Sequence, residues 1–273
     1  MTSFDVHQHL WPERLINALR QRERAPRLDG DSLVLGEGTF AADLGAHTLE
    51  ARLALLDAAG VDVALISLQP TLGCDGIPEL VDAYHDGILE LVEASSGRLR
   101  AFAVADCRPG FAGACVSAPA LVAGIGRLPA RLVEAGQVLF VHPGPVPAPP
   151  EDAPPWWAAI VDYCTQMQAA SAFWSTHGHP DLPVVFGILA GGAPFQLERL
   201  RARGGDLAAV DAYFDAASYG RLALELTAEA CGRDRILFGS DAPVMDPELT
   251  LTGVADAGLT EVALRENPSR LFA

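Results

Sequence analysis

The sequence predicts an α/β protein built as a (β/α)8 TIM barrel. Short β-rich apolar runs alternate with longer stretches of helical periodicity, and eight such units follow one another in order. A chain of 273 residues is also a size at which such barrels form one domain, so residues 1–273 are read as a single unit.

The predicted strands are residues 3–7, 61–67, 100–106, 121–125, 137–142, 183–188, 212–217 and 235–239. Residues 61–66 (VDVALI) are β-branched and nearly unbroken, as expected of a parallel strand covered on both faces. The predicted helices are residues 48–59, 78–96, 128–135, 155–175, 194–203, 220–231 and 246–266. The first opens on Thr48 as N-cap with Glu50 behind it, and Leu53, Leu56 and Ala59 recur at helical spacing. Two excursions break the rhythm. Residues 27–40 place turn residues on both sides of Leu33-Val34-Leu35 and read as a small hairpin over the barrel mouth. Residues 143–155 hold seven prolines after the fifth strand, giving a stiff loop beside the active face. No internal repeat is visible.

Composition narrows the chemistry. All 19 basic residues are Arg, and no Lys occurs. That excludes Schiff-base chemistry, a phosphate-binding P-loop lysine and a metal pair bridged by a carbamylated lysine. With 35 acidic residues and a net charge of −16, neither nucleic acid nor an anionic membrane is an expected partner. A small-molecule substrate is, and a homodimer stays open. The N-terminus shows no signal-peptide pattern, and the longest apolar stretch, residues 182–195, falls short of the about 18 residues a membrane helix needs. Five scattered cysteines without a C-x-x-C fit reduced thiols in the cytoplasm.

The strongest chemical signal is Asp5-Val6-His7-Gln8-His9 at the end of the first strand. Alternate strand residues point to one side about 6.6 Å apart, so two imidazoles there can converge on one metal. His142 ends the fifth strand and Asp241 follows the eighth, so both emerge at the same C-terminal mouth, where barrels place their active sites. Three imidazoles and a carboxylate suit one divalent ion, with Zn first and Mn or Fe as alternatives. Trp11 and Arg108 fall just beyond the first and third strands and are candidate substrate-binding residues, Arg108 for a carboxylate. His47 and His85 lie in helical contexts and read as solvated.

These motifs resemble the amidohydrolase superfamily, in its amidohydrolase 2 branch, which contains the aminocarboxymuconate-semialdehyde decarboxylase-like enzymes. The likeness spans the chain through Asp5-x-His7-x-His9-x-x-Pro12, Phe140-Val141-His142-Pro143, residues 179–185 (HPDLPVV), Gly239-Ser240-Asp241 and the closing residues 266–272 (ENPSRLF). It implies a distorted barrel with one divalent metal held by His7, His9, His142 and Asp241. It also reveals a departure: where the branch carries a histidine after the sixth strand, this chain has Ile188. His177 and His179 precede that strand, at the wrong end of a barrel to substitute. The leading expectation is a metal-dependent hydrolase in which activated water attacks a small amide, ester or lactone and Asp241 is the general base. The alternatives are a non-oxidative decarboxylase of a small carboxylated substrate, and a metal-binding barrel whose catalysis is weakened or lost through Ile188.

Overall fold

The computed structural model describes residues 1–205 and 212–272. The chain opens with β1 (Phe4–His9), buried along its whole length. A helix absent from the sequence reading follows, α1 (Glu13–Arg20), which turns Leu15, Ile16 and Leu19 inward. Strands β2 (Arg27–Asp29), β3 (Ser32–Leu35) and β4 (Gly38–Ala41) form a separate antiparallel sheet where a two-stranded hairpin was expected. Next comes α2 (Leu49–Ala59), in which the Thr48 hydroxyl accepts the Ala51 N–H at 3.2 Å as the predicted cap. The barrel then runs through β5 (Val63–Ser67), α3 (Pro78–Ala94), β6 (Leu99–Val104) and β7 (Gly113–Ser117). It continues with α4 (Ala118–Ala123), α5 (Leu128–Ala135), β8 (Val138–His142), α6 (Trp157–His177) and β9 (Val184–Phe186). The last units are α7 (Leu197–Arg201), β10 (Ala212–Asp215), α8 (Arg221–Cys231), β11 (Ile236–Leu237), α9 (Pro247–Asp256) and α10 (Asn267–Phe272).

Eight strands pair in parallel in the order β1-β5-β6-β7-β8-β9-β10-β11. The ring closes between its ends: Val6 N–H donates to Phe238 O at 2.9 Å, Asp241 N–H to His7 O at 2.8 Å and His9 N–H to Ala242 O at 2.7 Å. This is a (β/α)8 barrel. Phe4, Phe102, Phe140 and Leu237 fill its interior together with Phe272 of α10, while a larger apolar layer packs the helices onto the outer face of the sheet.

Two further elements differ from the sequence reading. The fourth strand is β7, and the predicted strand at residues 121–125 overlaps helix α4. Small residues hide β7 (GACVS), and its glycine is there because a Cβ on Gly113 would sit 1.9 Å from the Val138 carbonyl oxygen. Residues 105–112 return from β6 to β7 without a helix, so no helical pattern announces the strand. The long helix expected at residues 246–266 is broken after α9, where Gly258 takes φ +65°. Among the described residues, no helix is long and apolar enough to cross a membrane.

Candidate metal centre and its cavity

The end of β1 carries the first two imidazoles. Against β5, Asp5 pairs with Ala64 but Gln8 with Ile66, so three residues of β1 run beside two of its neighbour. This irregularity twists the strand end where His7 and His9 point inward. His142 arrives from the end of β8. Asp241 arrives from the turn after β11, at φ +63°, a left-handed conformation that aspartate tolerates better than most residues. His7, His9, His142 and Asp241 each offer a ligand atom, and these lie within 4.8 Å of one another.

Hydrogen bonds fix which nitrogen each ring presents. His7 Nδ1 donates to Asp215 Oδ2 at 2.9 Å, His9 Nδ1 to the Ser67 carbonyl at 3.0 Å and His142 Nδ1 to the Pro143 carbonyl at 2.8 Å. All three Nε2 atoms are thereby left to face the centre, as in metal sites whose ligands are oriented through their other ring nitrogen. His7 Nε2 lies 3.1 Å from His9 Nε2, and Asp241 Oδ1 lies 3.0 Å from His9 Nε2. Lone pairs this close need a positive charge among them. Burial presses the His7 pKa down, but the surrounding carboxylates, Asp215 foremost with Asp241 and Asp5, together outweigh it and hold the ring at about 9, so without metal a proton supplies that charge. Burial drives His142 well below its ordinary range and His9 down as well, so both offer neutral nitrogens. The donor set fits one divalent cation.

A buried polar chain stiffens this strand end. Arg52, 1% exposed, donates to Gln8 Oε1 at 2.7 Å and to the His9 carbonyl at 2.8 Å. Gln8 Nε2 donates to Asp5 Oδ2 at 2.7 Å, and Asp5 Oδ1 accepts the Ser240 N–H at 3.0 Å. Asp5 thus ties β1 to the turn that carries Asp241.

The centre opens into a cavity of about 510 Å³. His9, His142, Asp241, Ile188 and Trp11 line it, and the small sheet contributes Glu37 and Phe40 to its wall. The expected position of the insertion over the mouth is therefore observed. Ile188 stands directly after β9, its backbone N–H donating to Asp215 Oδ1 at 3.3 Å.

Three sequence expectations need correction. Arg108 does not reach the cavity. The chain turns back down outside the barrel after Ala105 (φ +47°), and Gln137, just before β8, donates to the Arg108 carbonyl at the end opposite the mouth. The Arg108 side chain lies against the His85 ring instead. His85 is buried rather than solvated, its Nε2 accepting the Val104 N–H at 2.8 Å. His47 is likewise buried, because the single turn Leu44–His47 folds it beneath Trp11. Asp215 and Arg52 escaped the sequence reading. The one available signal for Asp215 was a carboxylate closing the run Ala212-Tyr213-Phe214, which Asp211 also opens.

Comparison with known proteins agrees with this architecture. Residues 4–273 match the amidohydrolase family model. The chain belongs to the amidohydrolase family. No curated protein matches it. Among solved structures it resembles the apo form of Metarhizium anisopliae IDCase, with TM-score 0.78 and 18% identity, covering 99% of this chain and 97% of that one. It also resembles the 2,6-dihydroxybenzoate decarboxylase from Rhizobium, with TM-score 0.67 and 17% identity over 100% and 98% of the two chains. A third likeness is the 5-carboxyvanillate decarboxylase from Novosphingobium aromaticivorans, complexed with manganese and 4-hydroxy-3-methoxy-5-nitrobenzoic acid, with TM-score 0.70 and 14% identity over 100% and 96%.

Proposed function

We propose that this protein is a metal-dependent, non-oxidative decarboxylase of a small aromatic acid. The observation that carries the reading is the convergence of His7, His9, His142 and Asp241 at the floor of an aromatic-walled cavity. The structural neighbours named for decarboxylation support this reaction over hydrolysis, the leading expectation from sequence. A divalent ion, Mn or Zn, would bind an anionic substrate oxygen and stabilise the charge that develops on it.

The chain's own residues do the rest. Trp11 supplies a flat wall for an aromatic ring. Asp241 directs Oδ1 at His9 and has Oδ2 for proton transfer. In the proposed reaction the Asp241 carboxylate takes a proton from water on Oδ2 and delivers it to the ring carbon that bears the carboxylate, returning to its ionised form. The carbon–carbon bond then breaks, its electron pair restores the ring, and carbon dioxide leaves. For hydrolysis of an amide, ester or lactone the same oxygen would instead accept a proton from water. The test is product analysis with manganese-loaded protein and 2,6-dihydroxybenzoate or a related aromatic acid. Carbon dioxide release that is lost in His7→Ala is the expected result. Turnover of esters or lactones with no carbon dioxide from any aromatic acid overturns the proposal in favour of hydrolysis.

A further inference from the structure

Among the described residues the cavity has no cationic side chain: the charged residues along its wall are Glu37, Asp43 and Asp241, all acidic. An aromatic acid entering it needs partners for any anionic oxygen not held at the metal centre. Trp11 provides them indirectly. Its backbone N–H donates to His47 Nδ1 at 3.0 Å, and its indole N–H donates to Gln69 Oε1 at 2.7 Å. Both Trp11 groups can only donate, so each forces its partner to accept on that atom. His47 is thereby fixed as the tautomer with its proton on Nε2, and the Gln69 amide is fixed with its NH2 turned away from Trp11. The stacked rings of Trp11 and His47, 4.2 Å apart and 10° from parallel, hold the imidazole in place.

His47 is 8% exposed and Gln69 7%, yet both line the cavity. Among the described residues, the buried side-chain atoms without a partner are Arg52 Nε, Gln137 Oε1 and Asn267 Oδ1. His47 Nε2 and Gln69 Nε2 are not sealed in this way, and no acceptor among the described residues meets either atom. We infer that His47 Nε2–H and the Gln69 amide NH2 are a pair of neutral donors, oriented by Trp11, that receive an anionic oxygen of the substrate. The inference rests on reading this cavity as the binding site of an aromatic acid. Burial keeps His47 uncharged, with its pKa pressed down to about 3, so the donor persists across the neutral range without adding charge. A cavity so equipped favours a monoanionic acid over one bearing a second carboxylate, which would face Glu37 and Asp43.

Conservative variants test the pair in the full-length, manganese-loaded protein. His47→Asn keeps an acceptor for the Trp11 N–H but has no atom in place of Nε2, whereas His47→Gln restores a donor there. Gln69→Glu keeps the acceptor for the indole and replaces the NH2 by an anionic oxygen. Calorimetric titration uses benzoate, 2,6-dihydroxybenzoate and 4-hydroxy-3-methoxy-5-nitrobenzoate as probes. The expected result is binding by the native protein and about ten- to a hundredfold weaker binding by His47→Asn and Gln69→Glu. Metal content stays unchanged, and His47→Gln recovers most of the loss. Nitrogen-15 spectra of the histidine rings should place the His47 proton on Nε2. A proton on Nδ1, unweakened binding by His47→Asn and Gln69→Glu, or failure of the native protein to bind any probe overturns the inference. Carbon dioxide release by native protein with both variants unimpaired refutes the donor pair and leaves decarboxylation standing. Weakened binding in the variants without carbon dioxide release does the reverse.

Discussion

Asp215 Oδ2 accepts the Nδ1 hydrogen of His7 at 2.9 Å with both side chains fully buried, while Asp215 Oδ1 accepts the backbone N–H groups of Ala217 at 2.8 Å and Ile188 at 3.3 Å. One carboxylate therefore orients a metal-facing imidazole and anchors the turns after β9 and β10. Every lone-pair direction it uses meets a donor. An amide in its place has one acceptor oxygen and must point its NH2 at a donor.

Asp215→Asn should accordingly fold but bind metal about 10- to 100-fold more weakly, because His7 is left without its orienting acceptor or takes the tautomer that turns Nε2–H toward the centre. Competition with a chelator, followed by metal analysis, measures this. Affinity equal to that of the native protein would show that Asp215 does not orient the ligand.

The same pair predicts a pH dependence. In the metal-free protein the His7 pKa stands at about 9 against an ordinary 6.5. A raised folded-state pKa contributes stability in full below 6.5 and loses it as pH rises through 9. The metal-free protein should therefore lose stability across that window. Metal must displace the His7 proton, so its affinity should rise over the same range, with about one proton released per ion bound near neutral pH. Calorimetry in buffers of different ionisation enthalpy counts that proton. No release near neutral pH would contradict the assignment.

Arg52 gives a stability prediction. Arg52→Leu leaves Gln8 Oε1 and the His9 carbonyl without their buried donor. The expected loss is about 2–4 kcal/mol in denaturant unfolding, since each unpaired buried group costs about 1–3 kcal/mol. Metal affinity should fall too, because β1 loses a support directly behind His9. A change below about 0.5 kcal/mol, the range of ordinary surface substitutions, would mean that the chain is not structural.

The cluster that could hold a metal was legible because strand alternation and barrel polarity act locally: His7 and His9 share one strand, His142 ends another and Asp241 follows the last. What stayed hidden depends on where a chain goes after it leaves a strand. Arg108 follows the third strand as a mouth residue should, but the helix-free return through residues 105–112 carries it to the outer layer. His47 sits in a helical-looking context, yet its surroundings are set by stacking on Trp11, 36 positions away in sequence. Gln69 and Asp215 gain significance only through partners brought to them by the fold, Trp11 and His7. Such long-range relationships have no periodicity to read.

Ile188 joins both kinds of information. The sequence marks it as the residue standing where the family's strand-six histidine is expected, and the structure places it on the wall of the cavity that His142 and Asp241 also line. Its backbone adds a second anomaly. Ile188 has φ +46° and begins a run of left-handed residues, with Leu189 at +50°, Ala190 at +51°, Gly191 at +63° and Gly192 at +82°. β-Branched residues are rare outliers there, whereas His and Asn are enriched. The turn thus retains a conformation better suited to residues it does not carry. Ile188→Asn should relieve strain of order 1 kcal/mol and raise the melting temperature without accelerating turnover. Ile188→His should match that gain and also supply a proton-transferring ring beside Asp241, worth about 10²–10⁴-fold in rate. Comparing the two variants separates conformation from chemistry. If both are equally stabilised and neither raises carbon dioxide release or hydrolysis, a missing imidazole does not limit this active site.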